Sequence, residues 1–317
     1  MNASLQDRFR GCLVGLAVGD ALGGRFEAQS ADYIGGRFAN TEQLINYITD
    51  EIWYTDDTQM AIGVAESLAD HGEIIEDRLC ESFVANYMPS RGYGRGARAV
   101  LDAMEDGDDY QAVAAKHFPG GSFGNGAAMR VAPVGLFFRD DPHIALDQSR
   151  LSALPTHLHP LGIEGAQLVA LAVAHASNVE QFDRDAFFAH LLEHCKSSEY
   201  RCKLETAAQI QEPSELVPLG NGIEALESVT TAIACFALTP RSYEDTIANA
   251  IFLGGDTDTI AAMAGSIAGA HLGVRSIPDV LLNNLEESPK GRSYILELAD
   301  RLHSAYTNRI ANATNDT

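Results

Sequence analysis

Residues Gly11–Gly24 read GCLVGLAVGDALGG, and residues Ala261–Gly273 read AAMAGSIAGAHLG. Both stretches carry few bulky side chains, so helices built from them pack backbone near backbone, as central helices meeting around a buried site do. Neither is a membrane span, because Asp20 and Arg25 interrupt the first and the second is too short. Outward from these two, apolar residues recur at helical spacing nearly everywhere, as at Ile75, Leu79 and Phe83 or Met60, Val64 and Leu68, and sustained strand alternation is missing. The pattern predicts helices over residues 8–22, 57–71, 75–88, 95–105, 110–117, 125–138, 160–178, 184–196, 199–211, 222–238, 243–253, 258–272 and 290–308, an all-α fold. No Pro/Ser-rich linker or low-complexity tract divides the chain, and no solenoid repeat is visible. One domain over residues 1–311 is expected, followed by a flexible polar tail over 312–317.

Lys and Arg number 22 against 44 Asp and Glu, a formal charge of −22. Such a field repels nucleic acid and anionic membranes, so neither is an expected partner. A phosphate-bearing ligand has to be received locally, by backbone N–H groups, metal ions or a few arginines, which favours a small ligand over a long polyanion. The five cysteines, Cys12, Cys80, Cys195, Cys202 and Cys235, are odd in number, lack CxxC spacing and read as reduced core thiols. With no basic-then-apolar leader and no apolar run of spanning length, a cytoplasmic location is expected.

Two acidic stretches carry the chemistry: Thr55, Asp56, Asp57, Thr58 (TDDT) and, far along the chain, Gly254 to Thr259 (GGDTDT). If they converge, four carboxylates and several hydroxyls form a cage of hard oxygen donors, which Mg2+ and Mn2+ prefer over imidazole or thiolate. Crowded carboxylates must take up protons or bind cations, so convergence makes a metal centre the economical explanation. Asp and Thr ahead of an apolar run are also ordinary helix N-caps, and each stretch alone reads that way. A cap, however, accounts for one acidic residue per helix, not two.

Gly120, Gly121, Ser122, Phe123, Gly124, Asn125 and Gly126 form a glycine-rich loop leading into a helix near Ala127. Its backbone can approach a phosphate, and Phe123 offers a flat face to a base. The spacing fits neither GxxxxGK[ST] nor GxGxxG, and a flexible connection is the competing interpretation. Thr156-His157-Leu158-His159 sets two imidazoles before another helix, but no His or Cys group elsewhere has a spacing that obviously completes a zinc site. His157 is then either a polar ligand contact or a plain residue at a helix start. Residues Arg91–Arg98 (RGYGRGAR) read as a solvated basic loop able to edge a pocket. No GxSxG elbow supports Ser-His-Asp catalysis, and no nucleophilic cysteine stands out.

Six ordered blocks, GCLVGLAVGDALGGRFEA, YTDDTQMAIGVAESL, GGSFGNGAAMRVAPVG, THLHPLGIEGAQLVALAVA, NGIEALESVTTAIACF and LGGDTDTIAAMAGSIAGAHLG, span about Gly11 to Gly273. In these blocks the chain resembles the ADP-ribosylglycohydrolase family. GNGAAMRVAP and GGDTDTIAAMAG look closer to its third type of acceptor hydrolase, which removes ADP-ribose from serine and related oxygen linkages, than to its arginine-directed branch. The resemblance implies a compact all-α orthogonal bundle around a binuclear Mg2+ centre, with Mn2+ as the other candidate ion. Its ligands would be Thr55, Asp56, Asp57, Asp256, Asp258 and Thr259, joined by Glu27 through its position in GGRFEA. The loop from Gly120 to Gly126, with His157 and Ile223, would hold ADP-ribose, and Phe123 would lie against adenine where relatives often carry Tyr. Asp56 would help orient the ribose, and Glu27 would act as general base or water-positioning carboxylate. The implied activity is hydrolysis, by a monomer, of the bond between ADP-ribose and an O-linked acceptor on a protein or small molecule. An arginine-directed hydrolase, a non-catalytic ADP-ribose binder and a metal phosphohydrolase are the alternatives.

Overall fold

The computed structural model describes residues 3–315. In chain order the helices are α1 (Leu5–Gly23), α2 (Ala31–Arg37), α3 (Thr41–Asn46), α4 (Asp56–His71), α5 (Glu76–Asn86), α6 (Arg95–Asp106), α7 (Tyr110–His117), α8 (Ala132–Phe137) and α9 (Pro142–Ala153). They continue with α10 (Pro160–Asn178), α11 (Arg184–His194), α12 (Ser198–Gln209), α13 (Ala225–Leu238), α14 (Tyr243–Phe252), α15 (Thr257–Leu272), α16 (Asp279–Asn284) and α17 (Arg292–Asn315). Among the described residues there is no β-strand; the ladder is reduced to three isolated bridges, Ser30 to Gly254, Ile52 to Leu285 and Gly124 to Glu224.

The two small-residue helices form the spine. Gly11, Gly15, Gly19 and Gly23 recur every four residues along one face of α1, opposite Gly269, Gly265, Ala261 and Thr257 of the antiparallel α15. A methyl group at any of the four would strike α15 backbone: at Gly11 the carbonyl oxygen of Gly269, at Gly15 that of Gly265 at 2.5 Å, at Gly19 that of Ala261, at Gly23 the Cα of Asp258 at 2.6 Å. Only glycine permits this approach. Tyr243 donates its hydroxyl to the carbonyl of Gly15 (2.7 Å), and Thr257 donates to that of Gly23 (2.8 Å), fixing the register. The end of α1 is thereby pressed against the start of α15, which brings the residues after Gly23 to the GGDTDT stretch. Around this spine pack α4, α10, α13, α14 and α17, and a single apolar core of mostly Leu, Ile, Val, Ala and Phe surrounds it.

The predicted helix over 125–138 is instead a short 3-10 turn, Asn125–Ala127, followed by α8. Pro133 lacks an N–H and its ring crowds the preceding turn, so the helix restarts there. Sequence periodicity does not reveal α2, α3, α9 and α16; the first three start on side-chain caps from Ser30, Asn40 and Asp141, and α16 follows Pro278 without one. For α9 the Asp141-Pro142 pair was a usable signal: the Asp141 carboxylate accepts from the N–H of His143 (2.9 Å) with proline in the first turn. The expected tail differs as well, since α17 runs through Asn315, and residues 316–317 lie outside the described residues. Four of the five thiols are buried, but Cys202 is exposed. No described helix is long and apolar enough to cross a membrane.

Candidate active site

Asp20, absent from the sequence-derived list, explains why the TDDT carboxylates are free. It is fully buried in α1 and accepts from the backbone N–H groups of Thr55 and Thr58 (both 3.0 Å) and from their hydroxyls (2.8 and 2.5 Å). Thr55, the N-cap of α4, itself accepts from the N–H of Asp57 (3.4 Å). Asp20 and Thr55 thus take over the capping of α4, and Asp56 and Asp57 are left with side chains to spare. A lone carboxylate inside an apolar, small-residue helix was the signal for Asp20, since such a group is buried only with a purpose.

At the other helix start, Gly254 (φ 68°) and Gly255 (φ 76°) take the left-handed conformation and turn the chain sharply into α15. Asn221 clamps this turn: its amide donates to the carbonyls of Leu253 (2.9 Å) and Gly254 (3.1 Å), and its own carbonyl accepts from Asp256 N–H (2.9 Å). Asp256 makes no side-chain cap; its Oδ2 accepts from the Asn125 amide at 2.5 Å. Glu27 arrives by a reciprocal backbone pair, Ala28 N–H to Gly255 O (2.8 Å) and Gly255 N–H to Gln29 O (2.9 Å). Ala28, next to Glu27, is the one described non-glycine residue with positive φ (61°), a strained conformation held by this pairing.

These elements open into one cavity of about 560 Å³. Glu27, Asp56, Asp57, Asp256, Asp258 and Thr259 line it together with Ser122 to Gly126, His157 and Ile223. Carboxylate oxygens of Glu27, Asp256 and Asp258 lie within 4.8 Å of one another. Thr259 donates to Asp57 Oδ2 at 3.4 Å. Thr55 does not line the cavity and sits behind it, bonded to Asp20 and Asp57. Gly120 and Gly121 also stand off the main wall, in a smaller hollow with Ser122, Thr156 and Leu158.

Burial, reinforced by neighbouring carboxylates, pushes Asp56 up to about 8 and Asp258 to about 7, and drives Asp57 well above the ordinary range. Asp256 is raised chiefly by burial, and Glu27 chiefly by the charge on Asp258. Two buried oxygens, Asp57 Oδ1 and Asp258 Oδ1, have no hydrogen-bond partner at all. Orphaned anionic oxygens in a site of hard donors fit divalent cations such as Mg2+ or Mn2+, and the residues present suit that role.

A pH dependence follows. With chelator present, the raised carboxyls hold more protons folded than unfolded, so stability falls as pH rises from the unfolded carboxylate range of roughly 4 through the raised folded values. A divalent cation relieves the same repulsion. The melting-temperature gain on adding Mg2+ in place of chelator is therefore expected to be small at pH 5 and to grow toward pH 8. Thermal denaturation across that range checks it; a gain independent of pH refutes it.

Beside the carboxylates the glycine loop is tied to the start of α13 by Asn125 N–H to Ile223 O and Ala225 N–H to Phe123 O (both 3.0 Å). Phe123 and Ile223 are 48% and 71% exposed, an apolar lip in a chain that buries most such residues. His157 is buried beneath the loop, and burial with the nearby Arg130 charge pulls it down to about 3, so the ring is neutral. Arg130, also absent from the sequence-derived list, is a buried cation held by the Ser152 carbonyl (2.7 Å), the Thr156 hydroxyl (2.9 Å) and the Phe83 face (4.7 Å). The Thr156 oxygen accepts from Arg130, and the assignment that also uses the hydroxyl proton has it donated to His157 Nδ1 at 2.7 Å. The ring proton then resides on Nε2, the atom beside Gly124 and Gly126. The basic segment is partly corrected: Gly92 and Gly94 to Ala97 edge the cavity as expected, but Arg91 is not solvated. It forms a buried fork with Glu286 (2.5 and 2.8 Å) and donates to the Tyr54 carbonyl (2.7 Å), bracing the strand of chain that leads into TDDT.

The chain belongs to the ADP-ribosylglycohydrolase family, whose model matches residues 1–312. It is 35% identical to ADP-ribosylhydrolase ARH3 of Xenopus tropicalis, covering 99% of this chain and 100% of that one, and 32% identical to ADP-ribosylhydrolase ARH3 of Homo sapiens, covering 94% and 93%. A solved "ADP-ribosylglycohydrolase-related protein complex" superposes with a TM-score of 0.72 at 26% identity, covering 95% of this chain and 99% of that one. The protein is thus a glycosyl-bond hydrolase, and its relatives are of the branch expected from GNGAAMRVAP and GGDTDTIAAMAG.

Proposed function

We propose that this protein is a Mg2+-dependent hydrolase that releases ADP-ribose from O-linked, serine-type acceptors. The observation that carries the reading is the pair of partnerless buried oxygens, Asp57 Oδ1 and Asp258 Oδ1, in a carboxylate cluster that lines the same cavity as the glycine loop and is joined to it through Asn125 and Asp256. Two cations held by Asp56, Asp57, Asp256, Asp258, Thr259 and Glu27, with Thr55 bracing Asp57 from behind, would supply Lewis acidity and make water more acidic near neutral pH. The other steps belong to the chain. Phe123 stacks on adenine, Ile223 covers its edge, the loop backbone from Ser122 to Gly126 receives the diphosphate, and His157 donates from Nε2. Asp56, half-buried at the rim of the cage, accepts from the ribose hydroxyls and turns the anomeric carbon toward Glu27. Cleavage spreads oxocarbenium-like positive charge over the ring, and the surrounding carboxylates stabilise it. Glu27 is the exposed member of the cluster, and Asp258 raises its basicity, so it takes the proton of the attacking water.

Because Thr156 fixes the His157 proton, Thr156→Val is expected to raise KM for an ADP-ribosyl peptide by roughly tenfold, about one hydrogen bond, with kcat nearly unchanged. Steady-state kinetics checks it, and an equal fall in kcat would place His157 in the chemistry instead. The function itself is tested with serine-linked and arginine-linked ADP-ribosyl peptides, with Mg2+ or chelator, identifying the product. Free ADP-ribose from the serine linkage in Mg2+ alone is expected. Release only from arginine would move the protein to the other branch, tight ADP-ribose binding without turnover would make it a binder, and AMP would make it a phosphohydrolase.

A further inference from the structure

Outside the cavity, α11 ends in HLLEH, His190 to His194. Side chains four apart share one helix face, and the rings of His190 and His194 stand with centroids 4.8 Å apart. One ligand atom each from His190, Glu193 and His194 can be chosen so that all three lie within 4.8 Å of one another. Nδ1 of His194 lies 2.9 Å from the carbonyl oxygen of His190. A carbonyl only accepts, so this nitrogen carries the proton and Nε2 keeps a free lone pair; histidines that bind metals are oriented through their other nitrogen in the same manner. Two further imidazoles flank the pair: His175 of α10 at 5.3 Å from His190, and the exposed His143 in the first turn of α9 at 6.0 Å from His194. None of these residues lines the acidic cavity. The His157/His159 pair is committed elsewhere, His157 to the cavity and His159 to capping α10 through Leu161 N–H at 3.2 Å.

We propose that His190, Glu193 and His194 form a second metal site, separate from the acidic cage, that takes Zn2+ or a similar borderline transition metal, with water or His143 in the fourth position. The donor chemistry sorts the ions: two imidazoles and one carboxylate suit Zn2+, whereas Mg2+ goes to the all-oxygen cage. The H-x-x-E-H spacing is one by which other zinc proteins offer two imidazoles from a single helix. Zinc bonds of about 2.0–2.2 Å require the three donors to draw together from within 4.8 Å, and Glu193 is an exposed side chain free to take part in that movement.

The test uses the full chain with any affinity tag removed and the cage saturated with excess Mg2+. Equilibrium dialysis against ZnCl2 with metal analysis is expected to find one Zn2+ per parent chain that the H190A/H194A double variant lacks. The exposed Glu193→Gln change, which cannot unsettle the core, is expected to weaken that Zn2+ by about tenfold while circular dichroism and melting temperature without zinc stay at parent values. Equal Zn2+ stoichiometry and affinity in parent and double variant overturns the site, and unchanged affinity in Glu193→Gln overturns the three-ligand assignment.

Discussion

Asp57→Ala is expected to lower kcat/KM for serine-linked ADP-ribose by about a thousandfold or more in saturating Mg2+, the several kcal/mol that cation stabilisation contributes to such a transition state. The same change is expected to leave the chelated protein at least as heat-stable as the parent. Asp57 is 2% exposed, its Oδ1 has no partner, and Asp20, Asp258, Asp56 and Asp256 all raise its pKa once burial has done so. Without a cation it is therefore a burden on the fold, and removing it relieves repulsion more than it forfeits packing. Asp57→Asn separates charge from shape, because it preserves volume and can still accept from Thr259. It should lose activity almost as fully as alanine and lose the Mg2+-induced rise in melting temperature. A variant that hydrolyses substrate at the parent rate in Mg2+ would remove Asp57 from the cation site.

Gly269→Ala is expected to destabilise the protein by about 3 kcal/mol, and Gly269→Val to prevent soluble folding. The added methyl lands on the carbonyl oxygen of Gly11, and both groups are backbone, so nothing flexible can yield. The helices must move apart along their length, which also strains the Gly15 and Gly265 contact one turn away. For a chain of this size the loss corresponds to roughly 4–5 °C in melting temperature. Gly36→Ala is the matched control: a Cβ there meets nothing within 4 Å, and the change is expected within about 0.5 kcal/mol of zero. A Gly269→Ala protein melting with the parent would mean that the close approach of α1 and α15 is not what holds the core.

The long helices were readable because each carries enough turns for its apolar spacing to show, and the two acidic stretches because paired carboxylates at a helix start exceed what capping needs. Glu27 lies in a loop with no local pattern and was reached only through resemblance to a family. Asp20 was passed over as an interruption of an apolar run, although its role as the remote cap of α4 depends on a contact between segments that no local window contains. Arg130 was missed for the same reason, since a buried arginine looks like any surface arginine until its partners Ser152 and Thr156 are seen around it. Arg91 reads as solvated in sequence because its partner, Glu286, is nearly two hundred positions away. The short helices α2, α3 and α16 span too few turns for periodicity to speak.

The four-residue repeat along α1 and α15 works as a ratchet. With a rise of about 1.5 Å per residue, the neighbouring notch lies roughly 6 Å along the axis, and no intermediate setting seats one backbone against the other. Sliding by one notch would draw Asp258 a full turn away from the end of α1 and dismantle the cage outright. The separation between the carboxylates of α4 and α15 is thus coupled to the seating of these two helices, while Glu27 and the Gly254-Gly255 turn depend in addition on the loop contacts made by Gln29 and Asn221.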